Sequence, residues 1–255
     1  METIALLFGA GFVAGVMNTV AGGGTFVTFP TLVFTGIPIV AANATSTLAA
    51  LPGYLAGALG FRRELASIDR AQVLRLTVLT VIGSIIGSVL LIFSSNKAFS
   101  AIVPFLLLIA TLAFVFGEQI RAFASRHARE VTAFGAGGML GVSIYGGYFN
   151  GGLGIILLSL FSLWGMRDLH QMNGLKTWLS FALSLISVAV FLVYDMFTGT
   201  APLIHWNAAL IMALGTITGG YLGAPLARRI PRPILRALIA AIGFGMAAVF
   251  FWRMF

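Results

Sequence analysis

The sequence predicts an all-α, polytopic transmembrane bundle of two inverted repeats, each a broken-helix (re-entrant) hairpin plus three spanning helices. Three observations predict it: a shortage of charge, apolar runs of two different lengths, and a set of motifs that returns in the second half of the chain.

Of the 255 residues, 59% are hydrophobic and only 9% are charged, with a mean hydropathy of +1.03. A soluble domain carries about 25% charged residues, because its surface must face water. So little charge leaves most of this chain to face lipid or other helices. One membrane domain over 1–255 is expected, with no separate soluble domain. The net charge of +8 invites a nucleic-acid reading. The arginines, however, sit in short loops between apolar runs rather than in one stripe interleaved with aromatics, so no nucleic-acid partner is expected. Cysteine is absent, which excludes disulfides and thiolate metal sites. His127, His170 and His205 are too scattered to make a metal site, and no cofactor is expected. The first segment reads as a helix rather than a signal peptide, because Glu2 stands where a basic region belongs and no small-residue cleavage site follows.

Apolar runs fall at 3–20, 24–36, 39–60, 71–93, 99–119, 131–149, 152–164, 170–196, 205–227 and 233–252. Crossing the hydrocarbon core takes ~20 helical residues, and six runs reach or approach that. The runs 24–36 and 152–164 are about 13 residues each, roughly 20 Å at 1.5 Å per residue. Each follows a glycine break, at Gly22-Gly23-Gly24 and at Gly151-Gly152-Leu153-Gly154. Each therefore pairs with the run before it as a hairpin of two half-helices.

Charge tests this plan. If each hairpin returns to its own side, one side receives Arg62, Arg63, Arg70, Arg75, Arg121, Arg126, Arg129, Arg167, Lys176, Arg228, Arg229, Arg232 and Arg236. The other receives only Lys97 and Arg253. The positive-inside rule makes the rich side cytoplasmic and both termini periplasmic. Internal similarity agrees. Gly22 to Gly24 answers to Gly152 to Gly154, Gly36 to Gly165, and Asn43-Ala-Thr-Ser46 to Asn173-Gly-Leu-Lys176. Gly83-Ser84-x-x-Gly87-Ser88 answers to Gly215-Thr216-x-x-Gly219-Gly220. Repeat 1 then covers about residues 1–120 and repeat 2 about 130–255, and the odd number of crossings in each inverts the second copy, as in many secondary transporters.

The breaks are the first candidate site. Glycines there unwind the helix at membrane depth and aim the N-termini of the half-helices starting near Thr25 and Ile155 at one region, where free N–H groups and the helix dipole favour an anion. Tight packing is the plainer account, yet unpaired backbone is tolerated at membrane depth only where it is buried or lines a cavity. Asn18, Asn43, Asn150 and Asn173 lie in or beside the breaks, and amides can donate to an oxyanion without bringing charge. Singly, each also serves as a cap or as interhelical glue. Thr45, Ser46 and Thr47 are weaker candidates. Lys176 is the most pointed one. It lies inside the 170–196 run at the place of Ser46 in the first repeat, and charges inside membrane helices usually mark substrate paths. Its alternative is snorkelling to the cytoplasmic surface. Arg167, Asp168 and His170 read as loop residues.

The spacings Gly83-x-x-x-Gly87 and Gly215-x-x-x-Gly219-x-x-x-Gly223 read as close helix contacts. Gly9-x-Gly11-x-x-x-Gly15 has no preceding strand and no following acid, so it is no dinucleotide site. Enzymatic readings fail: there is no HExxH, no serine elbow with a nearby histidine, and no second carboxylate in a span to partner Asp195. No enzyme is expected.

The residues Gly11-Phe-Val-Ala-Gly15, Ala21-Gly-Gly-Gly-Thr25, Pro30 with Gly36, and Asn43-Ala-Thr-Ser46 resemble the first repeat of the TauE/SafE sulfite exporter family. Gly141 through Asn150-Gly-Gly-Leu-Gly154 to Asn173-Gly-Leu-Lys176 resembles the second. The resemblance covers almost the whole chain. It implies a bacterial inner-membrane, multi-pass permease for a sulfur-containing or organic anion such as sulfite or a sulfonate (sulfoacetate among them). The expectation is a secondary transporter, most simply an exporter, with substrate held between the repeats near the midplane by Asn18, Gly22, Gly23, Gly24, Thr25, Asn43, Ser46, Asn150, Gly151, Gly152, Gly154, Asn173 and Lys176. Its partners are the small anion and the lipid bilayer, with a homodimer left open. An anion channel and a non-transporting membrane anchor or assembly subunit are the alternatives.

Overall fold

The structure is a computed structural model that describes residues 2–20, 23–117, 119, 122–123, 135–198, 201–227 and 232–252. Among these there are eleven helices and no strand. In chain order they are α1 (Glu2–Val20), α2 (Thr25–Phe34), α3 (Ile39–Gly60), α4 (Arg62–Ala66), α5 (Arg70–Phe93), α6 (Asn96–Val115), α7 (Ala136–Tyr148), α8 (Leu153–Leu163), α9 (Leu169–Thr198), α10 (Trp206–Ala227) and α11 (Arg232–Trp252). The chain is a polytopic helical bundle, and α3, α5, α6 and α9 are long and apolar enough to cross a membrane. Of the residues singled out above, Ala21, Gly22, Arg121, Arg126, His127, Arg129, Arg228, Arg229 and Arg253 lie outside the described residues.

Local signals set the helix limits. Asp69 caps α5 by accepting from the Gln72 N–H at 3.2 Å. Asp168, read from sequence as a loop residue, accepts from the N–H groups of His170 and Gln171 and so starts α9. His170 accordingly belongs to the first turn of a helix, not to a loop. The basic segment after α3, read as a plain connection, contains the short helix α4. The two short half-helices end alike. Gly36 and Gly165 both have positive φ, of 89° and 85°. In each case the next N–H reaches back to a carbonyl five residues earlier, Ile37 to Leu32 and Met166 to Phe161.

Packing between the halves is reciprocal. Helix α1 lies along α10, and α5 lies along α7. Helices α3 and α9 pack together at the centre, as do α6 and α11 at the side. Further, α9 meets α5 as α3 meets α10, and α8 meets α6 as α2 meets α11. Glycines allow the two closest contacts. A Cβ on Gly11 would run into the Met212 carbonyl, and one on Gly87 would run into that of Ile144. The Gly11 to Gly15 spacing is therefore a packing surface.

Apolar stripes face outward along whole helices. On α5 they run through Leu74, Val78, Ile82 and Ile85; on α10 through Trp206, Leu210, Leu214 and Ile217, each 132 residues after its counterpart. Water would penalise continuous exposed stripes of this kind, whereas lipid accepts them.

Cross-contacts define the two ends of the bundle. At one end, Thr3 and Ile4 line one cavity together with Thr35, Ile37, Pro202, Ile204, His205 and Trp206. The Val40 N–H donates to Asn96 there, and the Asp195 carboxylate accepts from the Leu203 and Ile204 N–H groups. At the other end, Gln171 donates to Ser67, and Gly174 packs against Phe61 and Leu65. Both ends of the α1–α2 hairpin therefore lie at the first end. In the α7–α8 hairpin Gly138 lies against Leu160, and Met139, Phe161 and Trp164 share a core with Ile68 and Met172 of the second end. Among the described side chains, the second end carries Arg62, Arg63, Arg70, Arg75 and Arg167, and the first end carries Lys97.

Candidate functional site

The two breaks are built differently. At the first, Gly23 has φ of 103°, and the Gly24 N–H donates to Asn18 Oδ1 at 2.8 Å. Asn18 thus closes the break from α1. Thr25 is buried at the start of α2. One turn on, the hydroxyls of Thr28 and Ser46 meet at 2.6 Å and tie α2 to α3. Ser46 is committed to that contact.

At the second break, Asn150 has φ of 61° and Gly152 has φ of 67°. Asparagine and glycine are the residues that enter this left-handed region most readily. The Tyr145 hydroxyl donates to the Gly151 carbonyl, pinning the loop to α7. A Cβ on Gly151 would strike the Phe149 ring, and one on Gly152 would approach Ala110 of α6 to 3.0 Å. Gly154 lies in the first turn of α8, half-buried. Asn150 Nδ2 donates to Ser184 of α9 at 3.4 Å. Helix α3 joins the two breaks: Ser46 touches α2, and Asn43 Nδ2 donates to the Tyr148 carbonyl at 2.9 Å. Because that partner is a carbonyl, the Asn43 amide nitrogen must face it, and the amide oxygen faces the interior.

Lys176 and Asn173 form a pair of another kind. Lys176 is 6% exposed, about two turns into α9, and its Nζ donates to Asn173 Oδ1 at 2.9 Å. Among the described residues no carboxylate lies within ion-pair distance of it. An ammonium has three N–H donors, so two remain, beside the Asn173 amide nitrogen. The bond to Asn173, one turn nearer the start of α9, turns the head group toward the second end of the bundle, the direction that snorkelling also takes. Thr45 serves elsewhere: it donates to the Leu203 carbonyl, accepts from the His205 N–H, and so holds the end segment on α3. Thr47 bonds back to the Asn43 carbonyl within its helix, as Thr177 does to Asn173.

Between the breaks and the sparsely charged end stands a buried aromatic group. Phe29 meets Phe149 at 5.7 Å, Phe250 at 6.0 Å and Phe99 at 6.5 Å. Beyond it, a cavity of about 850 Å³ opens at that end, lined by Leu7, Thr35, Ile37, Ile204, His205 and Trp206 among others, and it includes none of the nominated site residues. Sequence reasoning missed Thr28, Ser180 and Ser184, although serines spaced at helical intervals within an apolar run were a signal for a buried polar face. It also missed Phe29 and Phe149, which look like ordinary core residues.

A helical bundle with lipid-facing stripes along its length and irregular, hydrogen-bonded backbone buried inside defines a multi-pass membrane protein of the transporter class. The chain belongs to the TauE/SafE sulfite exporter family, whose model matches residues 7–250. It is 28% identical over 249 residues to a "Probable membrane transporter protein" of Haemophilus influenzae, covering 97% of this chain and 94% of the relative. It is 27% identical to "Probable membrane transporter protein ORF9" of a Sinorhizobium species (96% and 90% covered). Against "Probable membrane transporter protein YfcA" of Escherichia coli K12 identity is 25%, with 96% and 88% covered. No solved structure matches the chain. The family is one of membrane transporters rather than enzymes.

Proposed function

We propose that this chain is a secondary transporter of a small sulfur-containing or organic anion, such as sulfite or a sulfonate, and that it works as an exporter in the bacterial inner membrane. The observation that carries it is Lys176, a buried ammonium with an amide partner and no carboxylate. Such a group lacks a counter-ion, and an oxyanion supplies one. Asn173 Nδ2 and the first-turn N–H groups of Thr25 and Gly154 add donors without charge. The arrangement is that of two inverted repeats, about 1–120 and 130–255, with both termini periplasmic. Reciprocal helix packing and the sorting of arginines to one end support it.

Export follows from the membrane potential. Each negative charge leaving an inside-negative cell across 100 mV releases about 2.3 kcal/mol. A dianion gains roughly 4.6 kcal/mol, over a thousandfold in concentration ratio. The interlocked rings of Phe29, Phe99, Phe149 and Phe250 support a transporter over an open channel, because they pack the interior between the second break and the sparsely charged end. A thermal-unfolding screen of the purified protein against choline salts of sulfite, sulfonates, thiosulfate and carboxylates tests the reading. A saturable rise in midpoint with one of these anions, beyond that given by chloride, is expected. No rise with any of them counts against an anion site.

A further inference from the structure

We propose that the second helix break also binds a small alkali cation, held by the amide oxygens of Asn43 and Asn150 and the hydroxyl of Ser180. The inference deepens the anion-transport reading and rests on it only for what the ion is used for.

The polar atoms in the interior fall into two sets. Around Lys176 and Asn173 there are hydrogen-bond donors in excess. Around the second break two acceptors, Asn43 Oδ1 and Asn150 Oδ1, and the Ser180 hydroxyl, which donates or accepts, are buried and have no hydrogen-bond partner. Their residues are 1%, 3% and 1% exposed. Buried polar groups are nearly always satisfied, so three orphans around one loop require an explanation. The direction of the Asn43 oxygen is fixed, because its nitrogen is bound to the Tyr148 carbonyl. Asn150 is two residues further along the same loop, on Ser184, and Ser180 is one turn away from Ser184 on α9.

Three buried, unpartnered oxygens on the break and on the helices packed against it suit a positive ligand. A water also serves them, giving its protons to the two amide oxygens and accepting from the Ser180 hydroxyl; what favours a cation is the helix end beside them. The break also follows the C-terminal end of α7 at Tyr148, the negative end of a helix dipole. Discontinuous helices in transporters use such ends and unwound carbonyls to hold small cations. Because the oxygens are neutral and the described carboxylates lie at the ends of the bundle, a monovalent ion fits better than calcium or magnesium, which recruit carboxylates.

The two sites are close. Ser180 lies one turn from Lys176 on α9, about 6 Å along the axis. An anion on Lys176 offsets that ammonium's repulsion of a cation at Ser180. Each ligand must therefore tighten the other, by the same factor in both directions.

The test is thermal unfolding of the purified full-length protein in choline chloride, with choline replaced by sodium or potassium at constant ionic strength and no candidate substrate present. A saturable rise in midpoint with sodium or potassium is expected. Ser180→Ala, which changes volume little, and Asn150→Gly, which keeps the left-handed backbone, should each raise the half-saturating concentration about tenfold or more. Adding choline sulfite should lower it in the wild type. Equal midpoints in choline, sodium and potassium would overturn the proposal, as would an alkali response unchanged in both variants. An anion response without an alkali response removes the cation site alone. An alkali response with no response to any anion keeps the cation site and removes the anion reading.

Discussion

Lys176 is buried and bonded to the Asn173 amide oxygen one turn before it, and among the described residues its remaining N–H groups have no carboxylate to meet. Lys176→Met should therefore weaken anion binding while leaving expression near normal. A hydrogen bond to a charged group is worth about 1.5–3 kcal/mol, so the loss is roughly tenfold or more. Lys176→Arg keeps the charge but not the compact point geometry and should retain part of the affinity. Arg167→Met, at the exposed end of the same region, is the control and should bind as wild type. Near-wild-type affinity in Lys176→Met would remove this residue from the site. Lysine within an apolar run was legible from sequence, and so was its neighbour Asn173. The role of Asn43 was not. Its amide direction depends on the Tyr148 carbonyl, 105 residues further along the chain, and no local spacing reveals such a partner. Ser46 was legible as a polar position but not as one already occupied by Thr28.

At the scale of elements, the glycine breaks divide long apolar stretches into half-helices that no periodicity alone would separate. Gly23 and Gly152 have positive φ, and a Cβ at Gly152 would press on Ala110 at 3.0 Å. Leucine at either position should abolish transport while the protein still reaches the membrane, because it strains the loop and fills the backbone approach to the anion. Normal flux in both variants would remove the breaks from the mechanism. Another prediction concerns the α1–α10 contact. A Cβ on Gly219 would run into the Phe12 carbonyl, so Gly219→Val should destabilise the fold by about 1–3 kcal/mol, seen as a lower unfolding midpoint. By contrast Gly245, with open space around it, should tolerate alanine. Helix positions were readable because each membrane helix is a long apolar run ended by Gly, Pro or charge. Helix α4 was not, since five residues of mixed charge carry no apolar period. Asp168 was read as loop because a capping side chain is recognised by the N–H groups it accepts from, and these lie on the next turn.

For the whole molecule, the proposed orientation rests on the sorting of arginines to one end of the bundle. A cysteine placed at Lys97 should label from the periplasm, and cysteines at Arg63 and Arg229 should not. Periplasmic labelling at Arg229 would change the number of crossings and break the inverted plan. The two ends were legible because arginine content differs between loops, and translocation is governed by that difference. The cavity beside His205 and Trp206 was not, because it arises from the meeting of the N-terminus, the α2–α3 turn and the start of α10. The central claim is that the chain carries an anion across the membrane by a saturable, exchange-competent route. Counterflow in proteoliposomes tests it most directly: vesicles loaded with unlabelled sulfite or sulfonate are diluted into a trace of the labelled anion. The account predicts transient, saturable accumulation of label in wild-type vesicles and little in Lys176→Met. Flux that never saturates and shows no counterflow would contradict it, as would wild-type vesicles no more permeable than protein-free ones to every anion tried.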